Sequence, residues 1–434
     1  MSIAILGFIA LIFLSLFGMP LALATLVTGL LGFAYFRGLD TAFFMASQQI
    51  AEMIANPNLV VVPVFILMGE LIRRCGITDE LYEFGNMLVG KLRGGLAMST
   101  VIACGIFSTI SGSSVATAAT MTRVALPPMR RFGYHDSLSA GTVAAGGTLG
   151  ILIPPSIPMV IYCIFAQEDV GLMWIAGLLP GLLMMLLFML SIFITVTLKP
   201  SLIDNTGEVL KATNKLRTMR RASSFLVLFI IVLGGIYTGI FTPTEAASIG
   251  AFGAFLFALA RGKMRTLKEY RDIFSASAGT TAAIMAIASC ALVFSQFVNI
   301  SGLPYDLLGM MEDLEITGTQ LVITICVICV FLGMVFEALG ILVLIIPIFL
   351  PSLQAQGIDL IWFGVLAVIL IELGLVSPPL GVNVFTVKAA RGDINLMDIF
   401  KGVWPFIVAM ILTAMLVFYF PQIAMYLPNA MRGG

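Results

Sequence analysis

Four short polar segments interrupt long apolar runs, and they carry the side chains that could bind ions or polar solutes. Two are small-residue breaks, the first tip (residues 111–114, Ser-Gly-Ser-Ser) and the second tip (336–340, Phe-Glu-Ala-Leu-Gly). The other two are the first Pro-Pro break (150–156) and the second Pro-Pro break (377–383), where proline removes backbone donors and leaves carbonyl groups free. Non-helical backbone at membrane depth must be buried in protein or line a wet cavity. These segments are therefore the candidate binding sites.

The oxygen atoms of these segments suit a sodium ion. Free carbonyls and the side chains of Ser and Asn offer several oxygen ligands without a fixed charge. Half-helix N-termini that face the gap between the segments would favour an anion. The alternative is that each Pro-Pro pair only kinks a packed helix. The predicted Na⁺ ligands are Ser111, Gly112, Ser113, Gly150, Pro154, Glu337, Gly340, Ser377, Pro378, Gly381 and Asn383, and the predicted substrate ligands are Ser113, Ser114, Pro155, Ser156, Glu337 and Asn383.

Two glutamates lie in apolar surroundings, where a charged side chain is costly and is a functional candidate by default. Glu337 belongs to the second tip and could ligate the cation, bond a substrate hydroxyl or carry a proton. Glu372 precedes the second Pro-Pro break and could instead cap or brace that helix. Arg123 lies roughly 14 Å along a helix from the first tip. Snorkelling to the membrane surface fits Arg123 better than substrate binding does.

The composition excludes most other chemistry. The chain has one histidine, His135, so a His-based catalytic triad or a multi-His metal site is excluded. The six cysteines lie almost entirely in apolar runs and are predicted to be buried hydrophobic residues rather than a disulfide framework. No G-x-x-x-x-G-K-[ST] phosphate loop and no nucleophile–base pair is apparent, so we predict no enzyme activity. Equal numbers of basic and acidic residues, 23 of each, give no basic surface for nucleic acid.

The elements that must position these residues are membrane-spanning helices. Of the 434 residues, 60% are hydrophobic and 11% are charged, far from the balance of a soluble chain. A spanning helix needs about 20 mostly apolar residues. Two apolar stretches, 96–127 and 319–353, are interrupted midway by the two tips and are predicted to be re-entrant hairpins. The sequence thus predicts an all-α protein in the lipid bilayer with about ten spans, at 2–17, 20–36, 58–74, 140–165, 173–198, 223–240, 245–260, 278–298, 361–387 and 402–426.

The positions of Lys and Arg predict the orientation in a bacterial inner membrane. Basic loops face the cytoplasm. The basic groups all fall on one side only if both interrupted stretches are hairpins that do not cross the membrane. Both termini are then periplasmic. The basic groups lie within 73–93, 123–131, 199–221, 261–271 and 388–401.

The two halves of the sequence match at an offset of 224 residues. The offset places Gly150 and Pro155 on Gly374 and Pro379, and it pairs the two tips and the two Pro-Pro breaks. An odd number of crossings in each half inverts the second half, as in secondary transporters. We expect two pseudo-symmetric clusters, each with one tip beside one Pro-Pro break. The predicted organisation is a first repeat over 1–198 with hairpin 96–127 and broken helix 140–165, a cytoplasmic linker over 199–222, and a second repeat over 223–434 with hairpin 319–353 and broken helix 361–387.

Equivalent segments of the two halves, 40–55 and 264–277, are less apolar and helix-like. The first has an amphipathic pattern, which is typical of a helix that lies along the membrane surface. We therefore predict two separate surface helices that brace the moving part. The alternative is that both are ordinary connecting loops.

At these residues the sequence resembles the large membrane subunit of tripartite ATP-independent periplasmic (TRAP) transporters, of the DctM type. The resemblance covers essentially the whole chain. Two positions depart from the family pattern, because Ser377 stands where Thr is usual and Glu337 where Asp is common, but both keep an oxygen ligand. The motifs that carry the resemblance are Ile110-Ser-Gly-Ser-Ser-Val-Ala-Thr-Ala118, Leu126-Pro-Pro-Met-Arg-Arg-Phe-Gly-Tyr134, Gly150-Ile-Leu-Ile-Pro-Pro-Ser156, Phe363-Gly364 and Gly374-Leu-Val-Ser-Pro-Pro-Leu-Gly381.

The resemblance implies an ion-transporter-type elevator fold, in which hairpins and broken helices form a transport domain that slides against a scaffold. It implies Na⁺ as the coupling ion, a small four-helix membrane subunit as a partner, and a periplasmic substrate-binding protein that delivers an organic anion, a carboxylate or a sulfonate. The expected function is the large subunit of a Na⁺-coupled importer. The alternatives are a self-sufficient ion-coupled carboxylate carrier of the same fold, and a channel or membrane-embedded enzyme.

The predicted topology can be tested with reporters that are active on only one side of the membrane. A reporter fused within 262–268 should be cytoplasmic, and one fused within 305–315 should be periplasmic, because the first segment is basic and the second is acidic without Lys or Arg. A cytoplasmic signal from 305–315 would contradict both the hairpins and the inverted repeat.

Overall fold

The computed structural model describes residues 2–204 and 215–432, and this part of the chain consists of twenty α-helices and two short 3₁₀ turns without a β-strand. The predicted all-α class is confirmed. In the first half the helices are α1 Ser2–Leu16, α2 Leu21–Arg37, α3 Leu39–Ala55, α4 Val61–Arg74, α5 Ile77–Val89, α6 Gly95–Ser111, α7 Ser114–Arg131, α8 Asp136–Leu152, α9 Ile157–Ala166 and α10 Val170–Leu198. In the second half they are α11 Lys215–Tyr237, α12 Pro243–Ala260, α13 Leu267–Ile300, α14 Leu303–Asp313, α15 Gly318–Gly333, α16 Ala338–Ala355, α17 Leu360–Val376, α18 Val382–Ala390, α19 Leu396–Tyr419 and α20 Gln422–Arg432.

The helix bounds of the second half follow those of the first half at the offset of 224 found in the sequence. Shifted by 224, the bounds of α7 become those of α16, and the bounds of α8 become those of α17. The peptide bonds Pro154–Pro155 and Pro378–Pro379, which correspond at the same offset, are both cis. The sequence match therefore extends to the lengths of the elements. The inversion of the second half relative to the membrane stays a prediction.

Five helices of the described residues, α10, α12, α13, α16 and α19, are long and apolar enough to cross a membrane. The number rises to seven if each of two bent pairs is one span, α3 with the segment 57–74 and α8 with α9. Shorter apolar helices of 10–17 residues include most of α1, all of α2 and α17, and parts of α6 and α11. Length and composition thus support a polytopic membrane protein, and the number of about ten spans stays a prediction.

The second predicted surface helix is wrong as a separate element. In the first half, Asn56 and Pro57 end α3, and the chain bends by 58° before α4. In the second half no such break follows 264–277. Thr266 caps α13 in a capping box with Glu269, and the helix then continues for 34 residues. The amphipathic segment and the following apolar segment are therefore one helix.

Three segments that the sequence suggested as loops or linker contain helix. Helix α5 lies within the basic segment 73–93, and α14 overlaps the acidic segment 305–315. Helix α11 begins at Lys215, inside the predicted linker 199–222, while residues 205–214 of that linker lie outside the described part. These helices are short and lie beside charged loops, so a search for long apolar runs does not find them.

The centre of the structure is built around α8 and α17. Helix α8 is buried at every position from 138 to 152, and α17 is buried almost throughout. A helix without a polar face belongs inside a protein or a membrane. Glycines allow the neighbouring backbones to come close, since a Cβ atom built on Gly374 would lie 2.5 Å from Val330 O and 2.6 Å from Gly333 Cα. The first Pro-Pro break, at the end of α8, is therefore held inside the protein, whereas Pro379 and Leu380 of the second break are exposed.

The two halves interlock through their hairpins. Helices α6 and α7 pack together, as do α15 and α16, which gives two helical hairpins. Helix α7 also packs on α18, and α16 packs on α9. The second helix of each hairpin thus contacts the last part of the broken helix from the other half.

An ion-pair cluster joins the two halves near the end of α7. Arg130 bonds both oxygens of Asp136, at 2.6 and 2.9 Å, and also contacts Asp393 from the second half. The hydrogen bond from the Arg130 guanidinium lowers the pKa of the exposed Asp393 carboxyl. This cluster lies outside the apolar core and adds a polar connection to the hairpin packing.

The close contact at Gly374 gives a test of the packing. Gly374→Ala would force a methyl group against the α15 backbone, and such overpacking costs about 1–3 kcal/mol. We expect less folded protein and a lower midpoint of thermal unfolding. Gly392→Ala is the matched control, because a Cβ atom at Gly392 meets nothing within 4 Å. Equal stability of the two variants would contradict the packing of α15 on α17.

Candidate functional site

A cavity of about 340 Å³ lies where both tips and the first Pro-Pro break meet α4 and α13. Most of its wall is apolar, with Val62 and Ile66 of α4 and Ile284 and Ile287 of α13. An apolar cleft with a few convergent polar groups is the usual form of a small-molecule site. The predicted site residues that line it are Ser111, Gly112, Ser113, Pro155, Ser156 and Glu337.

The first tip joins two helices within two residues. Gly112 ends α6 with a φ of 56°, in the left-handed region that favours glycine, and its N–H donates to Ser108 O at 3.0 Å. Ser113 is extended and begins α7, with its side chain accepting from Ala116 N at 3.4 Å. The Gly-Ser sequence therefore supplies a C-cap followed directly by an N-cap. The N-terminus of α7 faces the cavity as a result.

Hydroxyl groups close the first tip, and Gly150 lets the first Pro-Pro break approach it. Ser111 Oγ and Thr117 Oγ1 are 2.6 Å apart, and Thr117 Oγ1 donates to Ser113 O at 2.9 Å. A Cβ atom on Gly150 would lie 3.0 Å from the same Ser113 carbonyl oxygen, so only glycine leaves this contact unstrained. The structure places this tip and this break side by side, in the arrangement expected for one cluster.

The first Pro-Pro break ends one helix and begins another. Helix α8 ends at Leu152, and Ser156 begins α9 with its side chain accepting from Met159 N at 3.4 Å. The indole N–H of Trp174 donates to the Ser156 carbonyl at 3.1 Å. Trp174 also lines the cavity and is fully buried. The break is thus fixed by α10, and the N-terminus of α9 points to the cavity wall.

Glu337 begins α16 without making a side-chain capping bond. Its side chain is exposed and lines the cavity. The cavity therefore has the starts of three helices in its wall, with Ser113 at α7, Ser156 at α9 and Glu337 at α16. Helix N-termini carry partial positive charge and unpaired N–H groups.

The remaining predicted ligands do not line this cavity. Gly340 packs on Leu21 of α2, and Ser377 Oγ donates to Leu373 O at 2.6 Å. Asn383 is fully buried, and its Nδ2 donates to Ala144 O at 3.4 Å. The structure thus gathers the first cluster with Glu337 and leaves the second Pro-Pro break elsewhere. The predicted ligands outside the cavity are Ser114, Gly150, Pro154, Gly340, Ser377, Pro378, Gly381 and Asn383.

Sequence analysis missed two charged residues of the cavity, Glu70 and Arg73 in the last turn of α4. Arg73 is half-exposed and donates to Glu70 Oε2, at 2.5 Å from Nη2 and 3.1 Å from Nε. In the sequence, Arg73 belongs to the basic group 73–93, and Glu70 lies near the predicted cytoplasmic end of the span 58–74. Their spacing from Val62 and Ile66 is that of a single helix face, which was the available signal. The direction in which that face points depends on long-range packing.

Two residues considered in the sequence analysis, Arg123 and His135, lie outside the cavity. Arg123 is exposed and does not line it, in keeping with a side chain that extends towards the surface. His135 is exposed and caps α8, with its ring nitrogen Nδ1 accepting from Ser137 N at 3.2 Å. Neither takes part in the candidate site.

Comparisons with known proteins identify the family. Residues 8–423 match the family described as the tripartite ATP-independent periplasmic transporter, DctM component. The chain belongs to this family. The C4-dicarboxylate TRAP transporter large permease protein DctM of Pseudomonas aeruginosa is 34% identical over 384 residues, 88% of each chain. The sialic acid TRAP transporter large permease protein SiaM of Vibrio cholerae is 31% identical over 395 residues, 91% of each chain.

A solved structure supports the same conclusion about the fold. The YdaH transporter of Alcanivorax borkumensis superimposes with a TM-score of 0.65 at 14% identity, over 88% of each chain. The family resemblance and the membrane-transporter fold predicted from the sequence are confirmed. The protein is a TRAP permease subunit in a membrane and not an enzyme, as predicted.

The wet cavity can be tested by thiol labelling in membranes. Ala116 is exposed and lines the cavity, whereas Ala140 is fully buried in α8. In a Cys326→Ser background, which removes the least buried native cysteine, we expect Ala116→Cys to react with a small polar thiol reagent on the order of tenfold faster than Ala140→Cys. The buried thiol reacts only after local opening. Similar rates would contradict the cavity.

Proposed function

We propose that this subunit takes an organic anion, a carboxylate or a sulfonate, into a bacterial cell, driven by a Na⁺ gradient. It would act with a small four-helix membrane subunit and with a periplasmic binding protein that delivers the substrate. The observation that carries the proposal is the cavity in which three helix N-termini and Arg73 meet both tips and the first Pro-Pro break.

The charges of the cavity support an anionic substrate. Each helix start contributes partial positive charge and free N–H groups. Within the described wall of the cavity, Arg73 is the side chain that carries a full positive charge, and its guanidinium can bind a carboxylate with two parallel bonds. In this structure the guanidinium forms an ion pair with Glu70. A substrate carboxylate would compete with Glu70 for the same N–H donors.

Substrate chemistry in relatives is consistent with this assignment. The relatives compared above are named for C4-dicarboxylates and for sialic acid, and both compounds carry a carboxylate. A shared anionic group explains how related permeases could use one recognition element for different molecules. The remaining, mostly apolar wall would accommodate the parts in which the substrates differ.

Na⁺ binding is supported by the oxygen-rich first tip. Ser111 and Ser113 contribute hydroxyl groups, and Gly112 leaves the backbone accessible between them. Hydroxyl and carbonyl oxygens suit a hard monovalent cation. When bound there, Na⁺ would offset the negative charge of the substrate and of Glu337. The coupling would arise because ion and substrate occupy adjoining sites.

In an elevator motion, one wall of the cavity would slide past the other. One wall consists of α4 and α13, which pack on each other. The other consists of the tips and the first Pro-Pro break. Both walls present small and apolar side chains to the cavity, including Ala116, Ala283 and Val61. Such a surface can slide without breaking buried polar bonds. The substrate would move with the tips past α4 and α13.

Uptake by proteoliposomes tests the coupling. With both partner proteins supplied, we expect accumulation of labelled succinate or sialic acid to require an inward Na⁺ gradient, and a pH gradient without Na⁺ to drive none. Full uptake on a pH gradient alone would contradict Na⁺ coupling. Uptake by the subunit without its binding protein would instead indicate a self-sufficient carrier, and currents above carrier turnover would indicate a channel.

The role of Arg73 can be tested against its neighbour. Arg73→Gln should raise the substrate concentration for half-maximal uptake on the order of tenfold, since a charge-assisted hydrogen bond contributes about 1.5–3 kcal/mol. Arg74 is also exposed but does not line the cavity. Arg74→Gln should change this concentration by less than about twofold. Equal effects of the two variants would show that Arg73 acts only through general surface charge.

A further inference from the structure

Two aromatic side chains from different helices meet in the wall of the cavity. Phe65 of α4 and Trp174 of α10 both line it, and their ring centroids are 4.8 Å apart with an angle of 86° between the ring planes. This edge-to-face arrangement is one that aromatic pairs prefer. Phe65 is 6% exposed and Trp174 is 1% exposed. The two rings therefore form a close contact from which solvent is excluded.

This contact lies at the closed end of the cavity. Every residue of α4 from Val61 to Gly69 that lines the cavity is buried, whereas Arg73 near the end of the helix is exposed. Phe65 precedes Arg73 by about two turns, or roughly 12 Å along the helix axis. The cavity is thus open beside Arg73 and closed where Phe65 meets Trp174.

The two rings belong to opposite walls of the cavity. The hydrogen bond from the Trp174 indole to the Ser156 carbonyl fixes this side chain to the first Pro-Pro break. Phe65 belongs to α4, which packs on α12 and α13. Among the described helices, α4 and α10 are not one of the closely packed pairs. The rings therefore bridge a space between two walls whose backbones are not in close contact.

The contact has a strength that a transport cycle can make and break. The Trp174 N–H is already bonded within its own wall, so separation of the two rings breaks no hydrogen bond. An edge-to-face pair favours its own formation by about two- to tenfold beyond the effect of the area that it buries. The pair can thus bias the cavity towards this closed arrangement without locking it.

We propose that Phe65 and Trp174 form an aromatic seal, which closes the cavity at the end opposite Arg73 and opens that end when the rings separate. The seal rests on the proposed function in so far as the two walls move past each other. It adds the pair of residues that controls access of the substrate from the second side of the membrane. Trp174 stays with the first Pro-Pro break when the walls move, and Phe65 stays with α4 and α13.

Thiol labelling from each side of the membrane tests the seal. Ala116→Cys in the Cys326→Ser background places a reactive thiol in the cavity. The near side is the side from which a membrane-impermeant reagent reacts with Arg74→Cys, because Arg74 is exposed and adjoins Arg73 at the open end. We expect Ala116→Cys to react mainly from the near side, and Phe65→Leu to raise its rate from the far side about two- to tenfold. Labelling from the far side reports the fraction of molecules in which that end is open.

Phe406→Leu is the matched control. Phe406 of α19 forms an edge-to-face pair with Phe188 of α10, with ring centroids 5.3 Å apart and ring planes at 89°. Both rings are fully buried between helices that pack closely, and neither lines the cavity. Phe406→Leu should lower the midpoint of thermal unfolding, as Phe65→Leu should, because each leaves a gap in buried packing. It should change labelling from the far side by less than about twofold.

A second substitution shows whether the two rings act together. Trp174→Leu should also raise labelling from the far side. The double variant with Phe65→Leu should label within about twofold of the faster single variant, because either substitution alone removes the pair. Trp174→Phe keeps a ring but loses the bond to Ser156, and it should have an intermediate effect. If Phe65→Leu does not fold, the comparison of Trp174→Phe with Phe406→Leu decides.

Three results would overturn the seal. The first is labelling from the far side that Phe65→Leu and Trp174→Leu leave unchanged, or that Phe406→Leu raises equally. The second is a double variant that shows the product of the two single increases, since the rings would then act independently. The third is a wild-type background in which Ala116→Cys reacts mainly from the far side.

The seal and the proposed function can fail separately. If one of these three results is found but wild-type uptake is driven by Na⁺, only the seal fails. If labelling changes as expected but uptake does not depend on Na⁺, the Na⁺-coupled function fails and the seal stands.

Discussion

The structure depends on one constraint, which is that interrupted backbone cannot be exposed to lipid. Two Pro-Pro breaks and two tips leave carbonyl and N–H groups outside regular helix hydrogen bonding, and hydrocarbon offers no partner for them. The chain therefore surrounds α8 and α17 with other helices and closes the first tip with the hydroxyl groups of Ser111 and Thr117. Glycine permits the close approach that this enclosure requires, as at Gly150 and Gly374. The packing that encloses the breaks thus also forms the cavity.

The same packing also determines where helix starts, with their partial positive charge, lie in the structure. Each break that ends one helix begins another, so helix starts accumulate where the breaks meet. Three of them adjoin the cavity beside Arg73, whereas the carboxyl group of Glu372 is buried in α17. The helix starts and Arg73 therefore concentrate positive charge at the cavity.

Local features of the sequence predicted the local structure well. Glycine and serine at the first tip, the Pro-Pro pairs and the matching offset of 224 residues all have direct counterparts in the helix bounds. Contacts between distant segments were not predictable from one sequence. The continuity of α13 depended on the absence of a break equivalent to Asn56-Pro57, and the cavity face of α4 depended on packing against α13. Likewise, the sequence left open whether Glu372 is a functional residue or one that caps or braces its helix, because its surroundings are visible only in three dimensions.

Each hairpin packs on the broken helix of the other half, and this has a consequence for biosynthesis. Helix α7 finds its partner α18 only after more than 250 further residues have left the ribosome, since α7 begins at Ser114 and α18 at Val382. Until then, the first half must wait in the membrane with the surface for α18 unfilled and its interrupted backbone incompletely enclosed. Insertion of the first half and its final packing are therefore separate events in time. The quality-control machinery of the membrane therefore encounters the first half before it has packed against the second.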